Sequence, residues 1–324
     1  MRLLENVIKS GVYGLAVGDA LGVPVEFMQR GYLDKDPVRE MRGYGTHRQP
    51  KGTWSDDTSM VLATLDAMSG NVFSIDKVMD NFCKWCLKGE FTADGKTFDV
   101  GGTTFRAINR YKYAEYNPNE EYGLADISDN GNGSLMRMLP VAYCVYNNYG
   151  TEVDQRSIDF IYAFSGITHA HIISKMMCVY YVYIAMYIML YKDEHELPVI
   201  ITNAINAIDQ YYAGVEEAPL MESLIILSSF KHVHALEKSA IKSTGYVVDS
   251  LEASIWCLYN SHSYREAVEL AVNLGGDTDT IGAITGSLAG LYYGLEDIPK
   301  EWVKELRNKE LINSICDSYF EKYK

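Results

Sequence analysis

The chain has 324 residues, of which 48% are hydrophobic and 22% are charged, so it is long enough and apolar enough to fold around a substantial core. Its formal net charge of −14 argues against nucleic acid as a partner, because an acidic surface repels a phosphate backbone. Small anionic ligands still fit, since backbone N–H groups, helix N-termini or metal ions can supply local positive potential.

Apolar residues recur with a period near 3.6 along most of the chain, and almost none alternate with a period of two, so the sequence predicts an all-α protein. Ser74, and Ser263 with Glu266 three residues later, precede apolar segments and are typical helix N-cap signals. No Pro-, Gly- or Ser-rich linker divides the sequence, and we expect a single domain over residues 1–324. The predicted helices span residues 3–20, 58–69, 75–88, 101–111, 157–168, 172–191, 197–212, 247–260, 263–273 and 279–293.

Two polar segments separate these helices and are predicted to be loops. Residues 91–104 and 115–134 are rich in Gly, Asp, Asn and Thr. Long polar loops inside a helical body are the usual place for a binding or catalytic site, so we expect functional residues there.

The cysteine pattern and the N-terminus indicate the compartment. The only close cysteine pair is Cys83 and Cys86, and a single C-x-x-C in an apolar context suits two helical residues in a reducing compartment better than zinc. Glu5 interrupts the first apolar run, and no small-residue cleavage site follows it, so no signal peptide is predicted. We therefore expect a cytoplasmic protein.

One apolar run, at residues 176–191, is the only segment that suggests a membrane span. It is shorter than the roughly 20 residues that a span requires, and it contains many tyrosines. The sequence therefore predicts a buried central helix and no membrane association.

Two acidic clusters stand at predicted helix starts, GTWSDDTSM at residues 52–60 and GGDTDTIGAITGSLAG at residues 275–290. Asp56 and Asp57 are adjacent, so on a helix their side chains diverge by about 100° and could reach two different ions. Asp277 and Asp279, with threonines beside them, offer the same oxygen donors. Carboxylates and hydroxyls without thiolate or imidazole suit Mg²⁺, Mn²⁺ or Ca²⁺ and disfavour zinc.

Helix capping is the simpler explanation for each cluster, because Asp, Ser and Thr at a first turn complement the helix dipole. Capping needs one such residue, however, and Gly275 and Gly276 add a tight turn that a cap does not require. Two similar clusters in one chain therefore favour a binuclear metal site. Gly282, Gly286 and Gly290 follow at four-residue spacing, which predicts the close approach of a neighbouring helix.

The sequence resembles the ADP-ribosylglycohydrolases in motifs that run in the family's order from about residue 10 to 295. These motifs are GLAVGDALGVPVEF at 14–27, GTWSDDTSM at 52–60, FDVGGTT at 98–104, GNGSLMRMLP at 131–140, THAH at 168–171 and GGDTDTIGAITGSLAG at 275–290. The resemblance implies a compact orthogonal bundle of helices, all-α, with two divalent metal ions, Mg²⁺ or Mn²⁺, in a central cleft.

The resemblance also implies roles for individual residues. Glu26 would lie beside the metals and position water or relay a proton. Asp99 would lie near the leaving group and hold a cationic guanidinium, or cap the helix predicted at 101–111, and both readings stay open. The resemblance implies that Asp279 is also a catalytic residue. The implied metal ligands are Ser55, Asp56, Asp57, Asp277, Asp279 and Thr280.

The remaining candidates concern the substrate. Backbone N–H groups of a glycine-rich set could face a diphosphate, although an ordinary turn would use the same residues. His169 is expected to contact ribose, and core packing is expected for His171. Tyr246 could stack on adenine, although it is one of 25 tyrosines. The set facing the diphosphate comprises Gly101, Gly102, Asn132, Gly133 and Ser134.

The implied activity is metal-dependent cleavage at the anomeric carbon of ribose, releasing ADP-ribose from a protein or small molecule, with arginine or another guanidine as the expected leaving group. One alternative is another binuclear metal hydrolase such as a phosphohydrolase, which would need Arg or Lys near the motifs. Only Arg137 and Lys51 lie close in sequence. The other alternative is a non-catalytic ADP-ribose binder, but every expected type of ligand is present, which favours catalysis.

Overall fold

The computed structural model describes residues 5–70, 74–113, 122–215 and 230–324, and within these ranges the chain forms helices joined by loops. The β pairing in the described ranges consists of three isolated bridges, so the all-α prediction is confirmed. In chain order the α-helices are α1 (Glu5–Gly22), α2 (Arg30–Leu33), α3 (Asp56–Ser69), α4 (Ile75–Lys88), α5 (Gly102–Tyr113), α6 (Leu139–Asn148), α7 (Gln155–Gly166), α8 (Ile172–Tyr191), α9 (Leu197–Tyr212), α10 (Val247–Tyr259), α11 (Tyr264–Val272), α12 (Thr278–Tyr293), α13 (Lys300–Glu305) and α14 (Lys309–Tyr323).

The predicted helices are all present, and their ends within the described ranges shift by only a residue or two, while the start predicted at residue 3 lies outside these ranges. The two serine caps are confirmed, since Ser74 Oγ accepts from the backbone N–H of Lys77 and Ser263 Oγ accepts from that of Glu266. Helices α2, α6, α13 and α14 were not predicted. Of the loop predicted at 115–134, residues 115–121 lie outside the described ranges.

Helices α1 and α12 pack antiparallel with almost no space between their backbones. A Cβ atom added at Gly14 would lie 2.3 Å from the carbonyl oxygen of Gly286, and one at Gly18 would lie 2.0 Å from that of Gly282. The close approach predicted from the glycine spacing is confirmed. It places the end of α1 beside the start of α12, where Thr278 Oγ1 donates to the carbonyl of Gly22 at 2.8 Å.

A buried carboxylate on α1 also fixes the start of α3. Asp19 is fully buried and accepts hydrogen bonds from the backbone N–H groups of Ser55 and Thr58 and from the Thr58 hydroxyl, at 2.5 to 3.1 Å. Burial raises the pKa of Asp19 to about 6. Both acidic helix starts are therefore held against the C-terminal half of α1.

Helix α8 crosses the middle of the core. It is long and apolar enough to span a membrane, but 83% of its most apolar window is buried within the protein. Tyr181 on α8 shares a hydrogen bond of 2.8 Å with Ser287 of α12. The prediction of a buried helix over residues 176–191 is confirmed.

Candidate active site

A cleft of about 260 Å³ opens where the starts of α3, α5 and α12 meet. Oxygen-bearing side chains and glycine backbone form most of its wall, and Phe27 and Met136 are its large apolar groups. Many residues predicted from the sequence meet here although they come from distant parts of the chain. Those in the lining are Glu26, Asp56, Asp99, Gly101, Gly102, Asn132, Gly133, His169, Asp277 and Thr280.

The first acidic cluster begins α3. Ser55 is its N-cap, and its Oγ accepts from the backbone N–H of Asp57 and donates to Asp57 Oδ2 at 3.1 Å. The same Oδ2 accepts from Thr280 Oγ1 at 3.3 Å, so Asp57 links the two clusters. Its other oxygen, Oδ1, is buried without a hydrogen-bond partner, and Asp56 faces the cleft. Ser55 therefore serves as the cap, and the two aspartates do not.

The second cluster begins α12. Asp277 occupies the N-cap position but makes no cap hydrogen bond, and its Oδ2 instead accepts from Asn132 Nδ2 at 2.9 Å. Asp279 accepts from the backbone N–H of Thr280 through Oδ1, while its Oδ2 is buried without a partner. The turn before them is tight as predicted, because Gly276 has a φ of 72° and an added Cβ would lie 2.0 Å from the carbonyl oxygen of Ser243.

Together the two acidic clusters carry more negative charge than the surrounding residues compensate. Burial raises the pKa of Asp56, Asp57 and Asp279 well above the ordinary range, and neighbouring carboxylates raise it further. No Lys or Arg belongs to the lining within the described part of the chain. Buried carboxylates with two partnerless oxygens suit hard divalent cations, so the donor set fits the metal ions that the family resemblance implies.

Glu26 lies beside these clusters, with a histidine that the sequence analysis did not identify. The Glu26 side chain is buried, and its Oε2 is hydrogen-bonded to His47 Nε2. Thr46 holds the loop here, since its backbone N–H donates to Pro24 and its Oγ1 donates to the carbonyl of Glu26 at 2.7 Å. Burial raises the pKa of Glu26 to about 7, with Asp99 and Asp277 adding to the rise and His47 opposing it.

Asp99 lies at the cleft just ahead of α5. Its φ is 54°, its side chain is 26% exposed, and its Oδ2 is 3.9 Å from His47 Nε2. Among the described contacts, Asp99 accepts no hydrogen bond from the first turn of α5, so the capping alternative has no support. Gly101 and Gly102 follow it in the lining, together with Thr104, whose Oγ1 is buried without a partner.

The opposite wall contains Asn132, Gly133 and His169, but two predicted residues lie away from it. The Ser134 side chain is in the core, where its Oγ accepts from Ser165 at 3.0 Å and contacts Cys178. Tyr246 is half-buried at the start of α10 and lies beside the lining, which its neighbour Gly245 enters. For Ser134, only its backbone could therefore face a ligand.

His169 is held from behind by a buried hydrogen-bond network. Arg137 is fully buried and donates to Thr168 Oγ1 at 2.8 Å, and this oxygen is 2.9 Å from His169 Nδ1. The Thr168 hydroxyl can donate to Nδ1, which leaves the ring proton on Nε2, and it can equally accept from an Nδ1–H. Burial, with a contribution from Arg137, lowers the pKa of His169 to about 3, so the ring is neutral.

The two basic residues near the motifs do not reach the cleft. Arg137 is buried behind His169, and Lys51 pairs with Glu305 at 3.5 Å. Neither supports the phosphohydrolase alternative. The expectation of core packing for His171 is wrong, because this side chain is half-buried and its Nδ1 caps α8 by accepting from the backbone N–H of Ile173.

Comparisons with known proteins agree with this geometry. The model of the ADP-ribosylglycohydrolase family matches residues 2–324. The ADP-ribosylarginine hydrolase Tri1 of Serratia proteamaculans is 30% identical over 314 residues, which cover 96% of this chain and 78% of that protein. The ADP-ribosyl-[dinitrogen reductase] glycohydrolase of Rhodospirillum rubrum is 30% identical over 299 residues, covering 91% and 88%.

A solved structure described as an ADP-ribosylglycohydrolase-related protein complex superposes with a TM-score of 0.74 at 27% identity, covering 99% of both chains. The predicted fold class is therefore confirmed. Together the family match over nearly all residues, the two relatives and the shared fold lead to one conclusion. The chain belongs to the ADP-ribosylglycohydrolase family.

Proposed function

We propose that the protein is a metal-dependent hydrolase that cleaves the glycosidic bond at the anomeric carbon of ADP-ribosylated substrates and releases ADP-ribose. The observation that carries the proposal is the meeting of two acidic clusters at one buried point, where Asp57 and Asp279 each keep a partnerless oxygen. Family membership supports the glycohydrolase chemistry. The name of one relative, an ADP-ribosylarginine hydrolase, supports N-linked arginine or a related guanidine as the leaving group, and the name of another, an ADP-ribosyl-[dinitrogen reductase] glycohydrolase, supports a protein substrate.

Two divalent ions, Mg²⁺ or Mn²⁺, would be held by residues of the two clusters. When bound, such ions supply Lewis-acid chemistry, orienting the ribose hydroxyls and activating water. Asp57 would connect the ligands of the two clusters, because it already contacts both Ser55 and Thr280. The proposed ligands are Ser55, Asp56, Asp57, Asp277, Asp279 and Thr280.

The protein's own groups would position the substrate and move a proton. Glu26, with its pKa raised to about 7, can accept and return the proton of the attacking water near neutral pH. Asp99 is partly exposed at the cleft, where its carboxylate can hold a planar guanidinium through paired hydrogen bonds.

The other wall would hold the remainder of ADP-ribose. The neutral His169 would hydrogen-bond a ribose hydroxyl through Nε2, and Tyr246 beside the cleft stacks on adenine. The start of α5 presents backbone N–H groups to the diphosphate, which meets no Lys or Arg in the described lining. The proposed diphosphate donors are the backbones of Gly101, Gly102, Asn132, Gly133 and Ser134.

The test is release of ADP-ribose from arginine-linked, serine-linked and free-guanidine conjugates, with Mg²⁺, with Mn²⁺ and with a chelator. We expect metal-dependent release that is fastest from the arginine and guanidine conjugates. Asp193→Ala, at an exposed aspartate after α8, is the control and should match the wild type.

Each contrary result in this test has its own meaning. Equal or faster release from the serine-linked peptide would reject the guanidine preference but keep the glycohydrolase. ADP-ribose binding without release would identify a non-catalytic binder. Release that persists in the chelator would contradict metal dependence.

We also propose that the protein works in the cytoplasm. All six cysteines are free thiols, and Cys83 and Cys86 lie one turn apart on α4 without a disulfide. A reducing compartment is where such thiols persist. Fractionation of cells that express the native chain would test this, and recovery of the protein outside the cytoplasm would contradict it.

A further inference from the structure

Four side chains from four separate parts of the chain converge at one side of the cleft. Glu26, His47, Asp99 and Asp279 each offer one ligand atom, and these atoms all lie within 4.8 Å of one another. The sequence predicted a site made of oxygen donors alone. The structure brings an imidazole into contact with that site, which changes the chemistry of the donor set.

The charges of this group are unbalanced. Asp279 is 1% exposed, and its Oδ2 is a buried acceptor without a hydrogen-bond donor. His47, hydrogen-bonded to Glu26 Oε2, is the only basic member of the group. Three carboxylates around one imidazole in a mostly buried position favour a bound cation, because it compensates charge that burial disfavours.

We propose that His47 Nε2 is a nitrogen ligand of one divalent transition-metal ion held at Asp279, with Glu26 and Asp99 beside that ion in the proton-transfer and guanidinium-binding roles proposed above. An imidazole among carboxylates suits Mn²⁺, Fe²⁺ or Zn²⁺, whereas Mg²⁺ is held by oxygen donors. This inference rests on the proposed function, because Asp279 is shared with the proposed binuclear site. It makes one of the two metal positions selective for ions that accept nitrogen.

The surroundings of His47 favour this use. Its ring lies near two aromatic side chains, with centroid distances of 6.2 Å to Phe27 and 5.4 Å to Phe98, and it is mostly buried. The hydrogen bond to Glu26 and the distance of 3.9 Å to Asp99 Oδ2 show that Nε2 is directed at the carboxylates. The hydrogen bond to Glu26 is one that a metal would replace, since protons and metal ions compete for the same donor atoms.

The test uses Mn²⁺ alone as the probe, bound to the full chain. Pulsed electron paramagnetic resonance of bound Mn²⁺ reports a directly coordinated ¹⁴N nucleus as echo modulation. We expect this modulation in the wild type, its loss in His47→Gln, and its retention in His262→Gln, which changes an exposed histidine before α11. The Mn²⁺ affinity of His47→Gln should fall by about 10- to 100-fold, with little change for Mg²⁺.

Absence of ¹⁴N modulation in the wild type, or unchanged Mn²⁺ affinity in His47→Gln, would overturn the inference. Either result leaves the proposed function standing if Mg²⁺ still supports ADP-ribose release. Failure of the proposed function is distinct, because the wild type would then release no ADP-ribose whatever the Mn²⁺ spectrum shows. If His47→Gln does not fold, His47→Asn is the second variant and should also lose the nitrogen signal, and retention of that signal in His47→Asn would overturn the inference.

Discussion

At the scale of single residues, Asp57 and Asp279 each keep one carboxylate oxygen buried without a hydrogen-bond partner. An unsatisfied buried acceptor costs about 1–3 kcal/mol, and more when it is charged. The helices do not need this arrangement, because Ser55 caps α3 and neither Asp277 nor Asp279 makes a side-chain cap on α12. The two oxygens therefore destabilise the metal-free protein and favour binding of a cation.

The first prediction concerns Asp56→Ala and Asp279→Ala. Each should lower the turnover of an ADP-ribosylarginine substrate by at least about 100-fold, because each removes a charged group from the reaction centre. The helical fold should remain, and the metal-free variants should be at least as stable as the wild type, since like charges have been removed. Kinetics at saturating metal and circular dichroism check both points. Near-wild-type turnover in either variant would remove that residue from the metal site.

The second prediction concerns the leaving group. Asp99→Asn should lower kcat far more than it weakens ADP-ribose binding, because ADP-ribose lacks the guanidinium that the carboxylate is proposed to hold. Steady-state kinetics with an arginine conjugate and calorimetry with ADP-ribose measure the two effects separately. An unaffected kcat would exclude Asp99 from the mechanism.

The sequence predicted the aspartates of the site but not His47 or Asp19. His47 stands in a polar loop without periodicity, and it reaches Glu26 only because Thr46 ties that loop to residues 24 and 26. Asp19 could have been found, because an acidic residue inside the apolar run of α1 is unusual. Ser134 was predicted through its motif, and a motif does not say which side chains point into the core.

At the scale of elements, the contact between α1 and α12 brings the two acidic clusters together. Their glycines remove the side chains that would separate the helices, so the ends that carry Asp19 and Asp279 lie at the same level of the core. Any added side chain at this contact meets backbone, which cannot move aside. The geometry of the site therefore depends on residues that touch no ligand.

The third prediction tests this contact. Gly18→Ala would place a Cβ 2.0 Å from the carbonyl oxygen of Gly282, and it should cost about 1–3 kcal/mol of stability and lower activity. Gly31→Ala is the matched control, because no heavy atom lies within 4 Å of its added Cβ. Chemical denaturation of both variants gives the comparison. A Gly18→Ala protein as stable as the wild type would show that the contact is looser than described.

Most helices were predictable because their apolar residues form one stripe at helical spacing. Helix α14 carries the same signal at Ile312, Ile315, Cys316 and Tyr319, all buried, but its charged residues dilute the stripe. Helix α6 is apolar on most sides and has a proline in its first turn, so its pattern lacks the polar face that defines an amphipathic helix. These two helices were therefore missed for different reasons, a diluted apolar stripe in α14 and the lack of a polar face in α6.

At the scale of the whole molecule, the chain combines a formal net charge of −14 with a buried group of carboxylates at its centre. The folded-state pKa of Asp19 is raised to about 6 and that of Glu26 to about 7, from ordinary values of 3.8 and 4.5. A raised carboxyl pKa means that the folded state holds protons that the unfolded state has lost. The stability that Asp19 and Glu26 contribute in this way is fully present below about pH 4, and it is lost as the pH rises through 6 to 7.

The fourth prediction follows from this loss of stability with rising pH. The metal-free protein should lose stability between pH 5 and pH 8, and Mn²⁺ should restore it, because the ion neutralises the carboxylates that have then ionised. The increase in Tm caused by Mn²⁺ should therefore be larger at pH 8 than at pH 5. Thermal unfolding scans at pH 5 and pH 8, with and without Mn²⁺, measure this increase in Tm. An increase that is equal at the two values, or larger at pH 5, would contradict this explanation.

Anomalous diffraction from crystals soaked in Mn²⁺ tests the central claim most directly, because it locates the ions without reference to activity. We expect two peaks between residues 55–57 and 277–280, separated by about 3.5–4 Å as in other two-metal sites. One of the peaks should lie beside Asp57 and the other beside Asp279. A single peak, or no peak in the cleft, would contradict the binuclear site and the mechanism that depends on it.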